Sequence, residues 1–144
     1  MRRLVIRTTL PTLFRVAAWG CVIALAVLSL LPGKDFVRTD IARLGHGKQI
    51  EHFIAYLGAT TIIGLAYQTR LTRLTLPLIL IPYAALLEIG QLHAPGRGAS
   101  VLDFSASVAG VAAGALLLPL AWRGVARVLS MGAAAPPAKD GKPR

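Results

Sequence analysis

At 144 residues, 55% hydrophobic and 15% charged, the chain has too little interior to hide its apolar side chains in one soluble core. Its mean hydropathy of +0.63 excludes an ordinary soluble domain and selects a polytopic membrane protein. The lone Cys21 excludes a disulfide framework and a cysteine-based metal site, and no pattern for another metal or a cofactor is present.

Four apolar runs take the place of a core, at residues 10–31, 50–67, 74–92 and 101–122. Each has the length that about 30 Å of hydrocarbon requires. The predicted fold class is all-α, an integral membrane protein of four transmembrane helices with both termini cytoplasmic. The charges support that topology. Of the +10 net charge, the segments assigned to the cytoplasm carry eleven cations against Asp140 alone, whereas the outer segments carry five cations and five carboxylates. An excess confined to one side is the positive-inside pattern, so the basic balance reports topology and lipid contact, with no nucleic acid as partner.

A basic stretch, residues 1–9, precedes the first helix. No small-residue cleavage site follows Leu31, so this helix is expected to be retained. Arg15 snorkels to the inner interface near Trp19, and Pro32-Gly33 ends the span. In the outer loop, residues 34–49, Val37, Ile41 and Leu44 have helical spacing and fit a short amphipathic segment or a solvated loop equally.

The second helix places Lys48, His52 and Tyr56 at i, i+4 and i+8, a single polar stripe down one face. The third carries Pro77 and Pro82, both expected to kink it. Near its outer end lie Glu88, about 7 Å below His93 by helical rise, and Gln91 at i+3 on a neighbouring face. A Pro95-Gly96 turn with Arg97 follows. The fourth helix opens at Ser100-Val-Leu-Asp103, a start similar to a capping box. Ala106, Gly110 and Gly114 then form a stripe of small residues that allows close helix approach. Residues 131–144, rich in Ala, Pro and Lys, are expected to be a disordered cytoplasmic tail.

With both termini inside, helix two begins, helix three ends and helix four begins at the outer face. Lys48, His52, Tyr56, Glu88, Gln91, Arg97 and Asp103 therefore collect in one expected pocket, where Lys48 and Arg97 neutralise Glu88 and Asp103. Bland roles exist for each. Asp103 suits a helix cap, Arg97 suits the carbonyls ending helix three, Tyr56 suits packing, and His46 and His93 suit the surface. His52 and Glu88 are the hardest to explain so, because ionisable groups within spans are usually functional.

The motif Lys48-x3-His52-x3-Tyr56, then Glu88-x2-Gln91-x3-Pro95-Gly96-Arg97, then Asp103 with Gly110 and Gly114, resembles the VanZ-like family of small bacterial membrane proteins. The likeness covers residues 47–118. It departs from the family pattern at Gly47, where an Asp is usual, and at Ser107, where an Asn is usual. The resemblance implies a multi-pass protein of the bacterial cytoplasmic membrane and a cell-envelope role, linked through the family's name-giving member to resistance to the glycopeptide teicoplanin.

Three functions fit, in descending order. The first is recognition of an anionic lipid headgroup or cell-wall precursor by the outer pocket, without catalysis. The second is an enzyme acting on a lipid-linked substrate, with His52 and Glu88 as acid and base; no nucleophile elbow or phosphate loop accompanies them. The third is a proton-coupled transporter using Glu88, which four short helices would require an oligomer to build.

Overall fold

The computed structural model describes residues 2–32, 46–67 and 73–133. They form four α-helices and no strand: α1 (Arg2–Leu30), α2 (Gly47–Ala66), α3 (Thr75–Gly90) and α4 (Val101–Ala133), with a 3₁₀ turn, Gln91–His93, prolonging α3. The outer loop and the cation Arg70 lie outside the described residues, apart from its last residues 46–49.

Three of these helices are long and apolar enough to cross a membrane, over Pro11–Leu30, Thr75–His93 and Val101–Met131. Their exteriors agree. Leu13, Trp19, Leu78, Leu86, Leu116 and Leu120 are all more than 60% exposed, a surface suited to lipid and not to water. Four such spans were expected. At 20 residues α2 has the length, but Gln49, Glu51 and His52 in its first turns leave it less apolar than the other three.

The helices form a ring in the order α1, α2, α4, α3, with α2 and α4 in the most extensive contact. Ala18 and Leu25 of α1, Tyr56, Ala59 and Ile63 of α2, Leu80, Ala84 and Leu87 of α3, and Val111 and Leu118 of α4 make the buried core. Helices α2 and α4 run parallel because both start at one end of the ring, the end where α1 and α3 finish. This is the polar end.

Several local expectations change. The basic stretch is helical from Arg2, and α4 continues past residue 122 through Ala133, so the first residues of the presumed tail are helix; residues 134–144 lie outside the described residues. Pro77 sits in the first turn of α3, where its missing N–H has no partner to lose, and only Pro82 interrupts the helix interior. Tyr83 ties α3 to α1 by donating from its hydroxyl to the Val22 carbonyl at 2.7 Å.

Candidate functional site

The site is positioned by the seam between α2 and α4. A methyl group at Gly110 would collide with the Phe53 carbonyl oxygen and meet Leu57 N at 3.1 Å. One turn on, a methyl at Gly114 would lie 2.7 Å from Thr60 Cβ and 3.0 Å from Leu57 O. Backbone therefore rests on backbone, as small residues between membrane helices permit. Ala106, the third member of the expected stripe, is half-buried one turn above. Thr60, fully buried at this crossing, donates to its own turn at Tyr56 O, 2.7 Å, and so leaves no orphan hydroxyl.

Close approach sets the register, and the register pairs the polar residues. Lys48 Nζ forms an ion pair with Asp103 Oδ2. Gln49 Nε2 donates to Asp103 Oδ1 at 2.9 Å across 54 positions of sequence. His52 Nδ1 lies 3.2 Å from Ser107 Oγ across 55 positions, and Ser107 Oγ itself donates to the Asp103 carbonyl at 3.0 Å. Asp103 is fully buried, so its carboxylate is held by α2 on both oxygens.

The α3–α4 connection supplies the rest. Gly96 takes a left-handed conformation, φ 74°, which a side chain would strain. The chain then returns to Ser100, whose backbone N–H donates to Glu88 Oε1. Asp103 was expected to cap α4 in a box with Ser100. Only half of that box exists: Asp103 N approaches Ser100 Oγ at 3.4 Å, while the return acceptor is Glu88 from the neighbouring helix. The reason is that Lys48 and Gln49 draw the Asp103 carboxylate sideways. Glu88 is buried, and its charge at the start of α4 also suits the positive end of the helix.

Arg97 was expected to meet Glu88 and Asp103, or the carbonyls ending α3. Its Nε donates to Leu31 O at 3.1 Å and its Nη2 to Leu28 O at 2.9 Å, carbonyls at the carboxyl end of α1. An arginine at a helix carboxyl end satisfies exposed carbonyls and complements the dipole. Arg97 thus closes the ring between α1 and the α3–α4 turn.

Of the seven expected members, Lys48, His52, Glu88, Arg97 and Asp103 lie close enough that the charges of the other four act on His52. Tyr56, buried beneath them, lies within reach of the charge on Glu88. Gln91 is fully buried, and neither its Oε1 nor its Nε2 has a hydrogen-bond partner among the described residues. Gln49 was not singled out from sequence, while Ser100 was read only as a helix cap and Ser107 only as a departure from the family pattern. Ser107 was findable, one turn after Asp103. Gln49 was not, because it joins only through the register of α4.

Fold and site together define a protein all-helical in its described residues, three of whose helices suit a membrane, with a charged cluster built on the buried Glu88 and Asp103 at one end of the ring. Comparison of the chain with protein-family models, curated proteins and solved structures gives no match.

Proposed function

We propose that this is a VanZ-like cell-envelope protein of the bacterial cytoplasmic membrane, with four spans, both termini cytoplasmic and the polar end outward. The cluster recognises an anionic lipid headgroup or a cell-wall precursor. The observation that carries this reading is the convergence of Lys48, His52, Glu88, Arg97 and Asp103, drawn from three separate stretches of chain, at one end of the ring. Lys48 has three donor hydrogens, and its side chain keeps 37% exposure while it pairs with Asp103. It can therefore add a phosphate or carboxylate oxygen to its partners. A role in teicoplanin-type tolerance follows from the family resemblance.

The acid–base enzyme is less well supported. Glu88 Oε1 already accepts the Ser100 N–H, and His52 Nδ1 is already beside Ser107 Oγ. A transporter is weaker still, since the cluster sits at one end and the middle of the ring is built of Ala59, Ile63, Leu80 and Val111.

Two measurements test the proposal. Glu88→Gln keeps an acceptor for Ser100 N–H while removing the charge, and the loss at the helix dipole is about 0.3–1 kcal/mol. The expected outcome is normal accumulation, a nearly unchanged melting temperature in detergent, and loss of the growth phenotype under envelope stress. His52→Gln, which cannot titrate near neutral pH, is expected to keep the phenotype if the protein only binds and to lose it if His52 moves protons. A phenotype retained in Glu88→Gln overturns the functional role of the cluster. For orientation, a cysteine at Gly98, exposed and with no neighbour within 4 Å of a Cβ, in a Cys21→Ala background is expected to react with an impermeant reagent only from outside. Labelling from the cytoplasmic side alone overturns the topology.

A further inference from the structure

A buried carboxamide with both ends unpartnered is uncommon, because each buried polar group left without a hydrogen bond disfavours the fold. Gln91 is such a group, at zero exposure, in the 3₁₀ turn that continues α3. It follows Glu88 by three residues through helical backbone, which sets the two side chains beside each other. Glu88 in turn accepts from the Ser100 N–H, just before α4, and lies near Tyr56 and His52. The orphan amide therefore adjoins the charged cluster. The adjoining non-helical residues 94–100 are tied to the 3₁₀ turn through Ala94 N to Gln91 O at 3.1 Å, to Glu88 through Ser100 N, and to α1 through Arg97, while a Cβ at Gly98 would meet nothing within 4 Å.

We infer that Gln91 is a specificity-determining residue of this site, selecting ligands in which a hydroxyl or amide N–H donor stands next to an anionic oxygen. The inference rests on the headgroup-binding reading above and narrows its ligand class. A carboxamide offers donors on Nε2 and acceptor lone pairs on Oε1. A phosphodiester or carboxylate only accepts, so it satisfies Nε2 and Lys48 but leaves Oε1 orphaned. A headgroup that carries a hydroxyl or an amide beside its anionic oxygen satisfies both ends. A site built to hydrogen-bond a hydroxyl rejects an analogue that lacks it, because the protein group is left unpaired.

The test compares two lipids of equal charge. Short-chain phosphatidylglycerol carries hydroxyls beside its phosphate, and short-chain phosphatidylmethanol carries none. Each is added to the full-length protein in neutral detergent, and binding is followed by the rise in melting temperature, with sn-glycerol 3-phosphate as a soluble source of the same chemistry. Wild type is expected to bind phosphatidylglycerol about tenfold more tightly than phosphatidylmethanol, the value of one good hydrogen bond. Gln91→Met, of similar shape, is expected to fold at least as well and bind the two lipids alike. Gln91→Leu serves as a second variant. A shift from glycerol phosphate alone supports the same chemistry from a soluble source. Equal binding of both lipids by wild type, or discrimination that survives in either variant, overturns the role of Gln91 while leaving headgroup binding intact. No shift with any of the three overturns both.

Discussion

Gly110→Leu is expected to prevent α2 and α4 from docking, and Gly110→Ala already to weaken them measurably. Even a single methyl would collide with the Phe53 carbonyl oxygen, and that oxygen belongs to a helical backbone that cannot swing aside as a side chain end would. Overpacking a well-filled contact costs about 1–3 kcal/mol, and occasionally more; a backbone collision at the most extensive interface of the ring belongs at the upper end. Gly114→Ala meets Thr60 Cβ and Leu57 O and is expected to behave alike. Gly58 and Gly124 are the controls, since a methyl at either meets nothing within 4 Å. Their replacement by Ala is expected to be neutral or to stabilise by about 0.5–1 kcal/mol through helix propensity. Thermal melting in detergent of these four alanine variants and Gly110→Leu separates the outcomes. A Gly110→Ala variant as stable as Gly58→Ala would mean that α2 and α4 do not cross here.

The second large effect concerns the ion pair of α2 and α4, and it is expected to be asymmetric. Asp103 is fully buried, and its Oδ2 has no partner among the described residues other than Lys48, whose side chain is 37% exposed. Lys48→Met strands a buried carboxylate with only Gln49 as donor. Removing one partner of a buried pair costs about 3–5 kcal/mol, and the surviving 2.9 Å bond from Gln49 argues for the lower figure. Asp103→Asn leaves instead a lysine that can turn to water and an amide that can still accept from Gln49. Its cost is expected to be about 0–1 kcal/mol, as for solvated pairs. Joining Lys48→Met with Asp103→Leu is expected to recover much of the stability lost in Lys48→Met alone. Equal losses in the two single variants would show that the carboxylate is hydrated and the pair a surface one.

The glycines show how legible the seam was. Gly110 and Gly114 stand four apart beside Ala106, and any helical wheel puts them on one side; that they accept α2, and at Phe53, Leu57 and Thr60, is visible only once the helices are docked. Gly64 carries the same lesson from the other side. It was unremarkable in sequence, yet a methyl there would collide with the Leu118 side chain, and its carbonyl accepts from Trp122 Nε1 at 3.3 Å. The α1 carbonyls at Leu28 and Leu31 could not have been assigned to Arg97, because a helix end names the kind of partner it needs and not its place in the chain.

The sequence by itself determined the helical class, the apolar surface, the i, i+4 stripe of Lys48, His52 and Tyr56, and the end of the bundle at which the charged residues gather. These depend on composition and on a 3.6-residue period, both of which are local. Only the tertiary structure decided who pairs with whom: Lys48 with Asp103, Glu88 with the backbone of Ser100, Arg97 with α1, and Gln91 with no protein group among the described residues. The pairings of Lys48, Gln49 and His52 hang on the register of α2 against α4. A slip of one helical turn, about 5.4 Å, would keep every local pattern and change the partners of all three. What forbids the slip is steric contact between glycines and backbone, a long-range fact that no local period encodes.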